Sequence, residues 1–181
     1  MPVVVLLASC SGSPDPQSTQ GSTTSAPPTT VTTTTPTAPP TTPTYTPPAK
    51  RGVKRPAGVT PVTDLPCMSA NDDAQFFQLG WYGDLAKYVE QGQSPPDARW
   101  ASAAKNIGTF RGGIATARAA LQADGVPTSY LAYQDLKELD AAMLAGISAA
   151  RKRDESQVMH VYFAVKTAQA HLVESCGALE R

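Results

Sequence analysis

Residues 129–176 read SYLAYQDLKELDAAMLAGISAARKRDESQVMHVYFAVKTAQAHLVESC, and whether they form one helix or two decides the fold. Apolar residues recur at helical spacing in both halves. Leu136, Leu139, Met143, Ile147 and Ala150 make the first stripe; Val158, Val161, Val165, Leu172 and Cys176 make the second. Between them, Arg151 to Ser156 contains neither Gly nor Pro, so composition leaves the joint open. Asp154 followed by Gln157 has the spacing of a capping box, which favours a new helix starting there and ending at Gly177.

Upstream, two more helical patterns appear. One runs from Asn71, a candidate N-cap with Asp72 and Asp73 in the first turn, to Gln91, with Phe77, Trp81, Leu85 and Tyr88 on one face. The other opens at Ser94-Pro95-Pro96-Asp97 and stops at Asp124-Gly125. Its stripe is Trp100, Ala103, Ile107, Phe110, Ile114, Ala117 and Leu121. The chain has no strand-like alternation of any length. The expectation is an all-α domain over residues 62–181, large enough to bury one core without a metal or cofactor.

Before residue 62 the composition changes. Thr and Pro crowd this part of the chain, whereas Leu, Ile and the aromatic residues fall almost entirely after it. Such a segment cannot offset the entropy of ordering itself, so residues 10–61 read as a disordered linker. Its basic cluster, Lys50, Arg51, Lys54 and Arg55, reads as a solvated stretch, with contact to anionic surfaces as the second option. At the start, the apolar run Val3 to Ala8 ends in Ser9-Cys10. Leu7-Ala8-Ser9-Cys10 resembles the lipobox of bacterial lipoproteins, in which the peptide is cut before the Cys and lipid joins its sulfur. Lipobox and Thr/Pro tether together resemble actinobacterial, including mycobacterial, lipoproteins. The resemblance covers the first third only. It implies a signal peptide over residues 1–9, lacking the usual positive start, and lipidation of Cys10. It also implies a location on the outer face of the cell membrane.

Export bears on the two remaining cysteines. Cys67 precedes the first helix and Cys176 ends the last. An even number of up-and-down helices brings these points to the same end, and an odd number separates them. In an exported chain the two are expected to form a disulfide, which selects four helices over three.

Candidate chemistry is sparse. The formal net charge is zero, with fifteen acidic and fifteen basic residues, so no basic field points to nucleic acid. His160 and His171, eleven residues apart, stand about 16 Å apart on a helix, too far to share a metal, and their phase places both in solvent. Arg111 and Arg118 flank the second stripe as a weak anion clamp, more simply as side chains lying along a core edge. Neither a phosphate loop nor a haem-attachment motif is present. The residues out of phase are more informative: Phe76 and Leu79, then Met159 and Phe163, point away from their stripes and read equally as a candidate interaction surface or as packing within the molecule. A ridge of small residues, Ala101, Gly108, Gly112, Ala115 and Ala119, would let another helix come close.

The expected function is therefore non-enzymatic: a tethered, cofactor-free helical binding module, anchored to the membrane through Cys10 and engaging an envelope protein or wall component. The alternatives are an envelope hydrolase with a dispersed site, and a small exclusion or inhibitor lipoprotein, some of which are phage-encoded.

Overall fold

The computed structural model describes residues 43–62 and 66–180, apart from the side chain of Phe110. Cys10, the signal segment and the tether up to residue 42 lie outside the described residues. So does the Phe110 ring of the second stripe.

The described chain is helical, with no strand among the described residues. Helices α1 (Met68–Leu79) and α2 (Trp81–Glu90) form the first long segment; α3 (Asp97–Asn106), a 3-10 turn (Ile107–Arg111) and α4 (Gly112–Ala123) form the second. Helices α5 (Leu131–Lys152) and α6 (Glu155–Gly177) are the third and fourth. Contacts between neighbouring segments run antiparallel all the way round. Ser69 bonds Gly113 while Asp84 pairs with Arg99. Asp97 pairs with Arg153 while Arg111 pairs with Asp140, and Glu138 faces His171. Cys67–Cys176 and Gln78–Gln169 then close the fourth segment onto the first. This is a four-helix up-and-down bundle, as the even-number argument required.

The joint between α5 and α6 turns on Arg153, whose left-handed backbone (φ 54°) ends α5, and on extended Asp154. The capping box does not form. The Asp154 carboxylate accepts instead from the Ser156 hydroxyl at 2.6 Å. The disulfide links Cys67 to Cys176 with Cα atoms 6.2 Å apart and ties the start of α1 to the end of α6.

The first segment differs from its expected form. It begins at Met68, so Asn71 is inside the helix, where its side chain accepts from Gln169 at 2.8 Å. It is also interrupted at Gly80, whose N–H still bonds Phe76 O (2.8 Å). The interruption shifts the helical phase by one residue. Tyr82, not Trp81, enters the core and stacks on Phe77 at 4.5 Å, while Trp81 stays 37% exposed. Gly80 is forced by close approach, since a Cβ there would lie 2.6 Å from Phe76 O. The other stripes are buried as read: Trp100, Ile107, Ile114 and Leu121, then Leu136, Leu139, Met143, Val158, Val165 and Leu172.

Small residues allow close approach where the ridge did not point. Ala101, Gly108, Gly112, Ala115 and Ala119 all face outward. Helix α1 meets α4 one position away, at Gly113, whose N–H donates to Asp73 at 2.8 Å. Asp73 thus joins two helices instead of serving as a first-turn charge. Burial pushes its carboxyl above the ordinary range, against the lowering effect of that bond.

Residues 43–61, expected as linker, differ most. They belong to the same compact unit as the bundle and form an irregular strap. The strap ends at Val62, which is buried and whose N–H donates to Leu179 O at 3.0 Å. A strap without periodicity leaves no helical or strand signature, so composition alone classed it with the tether upstream.

Candidate binding cleft under and beside the strap

The strap follows α6 in the same direction along its length. Near its start, Tyr45 sits on Phe163 with ring centroids 5.5 Å apart, and Lys166 Nζ lies 4.4 Å above the Tyr45 ring. Lys166 is also 5.6 Å from the Tyr162 ring. Cation–π attraction of this kind is worth roughly 0.5–1 kcal/mol at a partly exposed site. Six residues on, Arg51 reaches into the groove between α5 and α6. Its guanidinium donates to both oxygens of Asp135, at 2.7 and 2.8 Å, and to His171 O at 2.7 Å. Asp135 is 1% exposed, and bidentate pairing is the geometry that a buried carboxylate needs. The same pairing raises the Arg51 pKa further above its ordinary value.

Glu174 supplies the third hold. Its carboxylate accepts the backbone N–H groups of Arg51 at 3.0 Å and of Gly52 at 2.7 Å. Successive amides aimed at one anion form a nest, and the positive φ of Gly52 (66°) gives the strap the turn that aligns them. These amides, Arg51's first, hold the Glu174 carboxyl below its usual range. The sequence signal was Arg51-Gly52 inside an otherwise Thr/Pro-rich stretch, and its partners lay 84 and 123 residues away.

Beside this contact lies a cleft of about 640 Å³ between Pro47, Pro48 and Val53 of the strap and Val173, Gly177 and Glu180 of the last segment. A smaller hollow of about 170 Å³ next to the disulfide, walled by Met68, Asn71 and Leu172, shares Val173, Gly177 and Glu180 with it. Met68 and Val173 are apolar and exposed along this line. The larger volume falls within the range of ligand sites.

The four residues of the expected interaction surface separate. Phe76 and Leu79 are exposed on α1, at 60% and 71%. Met159 is a correction: at 6% exposure it belongs to the core. Phe163 is a second correction, half-buried beneath Tyr45. Both errors have one cause. Helix α6 is covered by α5, by the first segment and by the strap, so its buried face is far wider than one stripe.

The histidines also part company. His160 is exposed, whereas His171 is half-buried, contrary to the expectation from phase. Its Nδ1 is buried, has no hydrogen-bond partner among the described residues, and lies 3.7 Å from Glu138. Asp135, Glu138 and His171 bring one ligand-type atom each within 4.8 Å. The set does not suit a divalent cation, because both oxygens of Asp135 already hold a guanidinium, and a metal there would face that positive charge. Arg111 is similarly committed, to Asp140 at 2.6 and 3.0 Å, so the weaker option of an Arg111/Arg118 anion clamp does not hold.

No protein-family profile, curated protein or solved structure matches this chain. No described helix is long and apolar enough to cross a membrane.

Proposed function

We propose that the chain is an envelope lipoprotein, lipidated on Cys10 and held at the outer face of the cell membrane. On this reading its helical bundle is a non-enzymatic binding module that engages an envelope protein or wall component at the cleft beside the strap. One observation carries the binding reading: a cleft of ligand size whose rims are the apolar Pro47, Pro48 and Val53 of the strap and Val173 of α6. Beside it Arg51 is matched to Asp135 and Glu174, while Lys50, His171 and Glu180 add polar groups to the cleft wall. The disulfide ties Cys67 to Cys176 in the wall of the smaller adjoining hollow. Support for the anchor is the lipobox-like Leu7-Ala8-Ser9-Cys10 followed by a Thr/Pro-rich tether.

Two measurements test the two parts. Cys10→Ala should move the protein from the membrane fraction to the soluble fraction with its helical circular dichroism unchanged. A photo-crosslinking residue at Met68 or Val173 should give specific adducts in intact envelopes, and one at exposed Gln122 on α4 should not. Equal labelling from both faces, or none from the cleft, refutes the binding site.

A further inference from the structure

We propose that the groove on α5 and α6 beneath the strap is a receptor for an extended protein segment carrying an aromatic residue six positions ahead of an Arg-Gly pair. In the resting chain its own residues 45–53 occupy the groove as a tethered stand-in. This deepens the binding-module reading by naming the partner's chemistry, and it rests on that reading.

The seat consists of bundle residues. Phe163 and Lys166 receive the aromatic ring, Asp135 the guanidinium, and Glu174 the two backbone amides. Every one of these is on α5 or α6, and the strap supplies only the complementary half. The spacing agrees with an extended guest. Phe163 and Glu174 are eleven residues apart on α6, about 16 Å along the axis, and six residues of extended or polyproline chain cover about 19 Å. A guest therefore spans both subsites with little slack.

Asp135 is the residue that stability alone does not account for. A buried ion pair adds little compared with apolar side chains of the same volume, yet a lone buried carboxylate is costly. A carboxylate at this place discriminates: it accepts a forked cationic donor and penalises any guest without one. The strap that now satisfies it is held at Tyr45, Arg51, Gly52 and Val53, while Thr44, Thr46, Pro47, Ala49 and Lys50 are exposed. It is a replaceable occupant. Its advantage is that it is attached, which gives it an effective concentration on the order of millimolar. A guest in trans binds well only when the strap is weakened or when the guest makes added contacts in the adjoining cleft.

The test uses the full chain and a fluorescent synthetic peptide of residues 43–55, read by anisotropy. Arg51→Ala in the chain should bind the peptide at least tenfold more tightly than the unaltered chain. Adding Asp135→Asn should abolish that gain, as should Arg51→Ala in the peptide. If Arg51→Ala perturbs folding by circular dichroism, Arg51→Gln, which keeps an amide donor toward Asp135, takes its place. Equal binding by the variant and the unaltered chain, or undiminished binding of the peptide lacking Arg51, overturns the proposal. Peptide binding without envelope crosslinks leaves the groove standing and removes the envelope reading. Crosslinks without peptide binding do the opposite.

Discussion

Arg51 and Asp135 meet across 84 residues of sequence, the guanidinium fork on both carboxylate oxygens at 2.7 and 2.8 Å, and this contact holds the strap to the bundle. The Arg51 side chain remains about a quarter exposed, whereas that of Asp135 is shut away from water. The two ends of the pair are therefore unequal. Losing the arginine strands a buried charge, while losing both charges strands nothing.

Arg51→Ala should destabilise the domain by about 1.5–3 kcal/mol, less than for a fully buried pair because water reaches the vacated place. Arg51→Met combined with Asp135→Leu should recover most of that loss. Urea denaturation of the single and double variants checks both statements. A single variant within about 0.5 kcal/mol of the parent, the usual range for an ordinary surface change, would show that the strap contributes nothing to stability.

Acid should loosen the strap through Glu174. Its folded-state pKa is depressed by the Arg51 and Gly52 amides, so its contribution is fully present above the ordinary Glu range. That contribution is lost as pH falls from about 4.3 through the lower folded-state value. Amide exchange at Gly52, corrected for intrinsic rate, should show constant protection from neutral pH to about 5 and a decline below it. In Glu174→Gln the acid step should vanish. An identical decline in that variant would assign the step to another group.

Reducing the disulfide should lower stability while leaving the helices in place. Cys67–Cys176 closes a loop of 109 residues, for which chain entropy gives up to about 4–5 kcal/mol, with measured losses usually about 2–5. Cys67→Ser with Cys176→Ser should therefore lower the denaturation midpoint and keep the far-ultraviolet spectrum. Loss of helical signal in native buffer would mean that the core cannot hold the bundle unaided.

The sequence was most legible where periodicity was long. Leu136 to Ala150 and Val158 to Cys176 each sustain a stripe over several turns, and their burial follows from spacing alone. Helix number followed from one further fact, the placement of Cys67 and Cys176. What stayed hidden was non-periodic. Gly80 moves the phase by one residue and exchanges Trp81 for Tyr82 in the core, an effect that no average over the segment reveals. Arg51 looked like one of four basic residues in a linker, because Asp135 and Glu174 lie far along the chain. The site was legible only in part for the same reason. Exposure of Leu79 followed from helical phase, whereas burial of Met159 depends on how many elements surround α6 and cover over Phe163 on a strap with no pattern.

Glycine substitutions test the packing account, because two glycines should respond in opposite directions. Gly83 sits where the chain leaves the Gly80 break, and a Cβ there would fall inside contact distance of Gln78 O. That obstacle is backbone and cannot rotate away, so Gly83→Ala should cost about 1–3 kcal/mol by overpacking. Gly108 lies in the 3-10 turn between α3 and α4, is exposed, and has open space within 4 Å of where a methyl group would stand. Gly108→Ala restricts the unfolded chain without a clash, so it should stabilise by about 0.4–1 kcal/mol. Thermal melts of the two variants beside the parent give the comparison. A destabilised Gly108→Ala would mean that the 3-10 turn needs glycine for a reason other than space. An unchanged Gly83→Ala would mean that the first segment tolerates a straight helix through residue 80. Tyr82 would then lose its reason to replace Trp81 in the core.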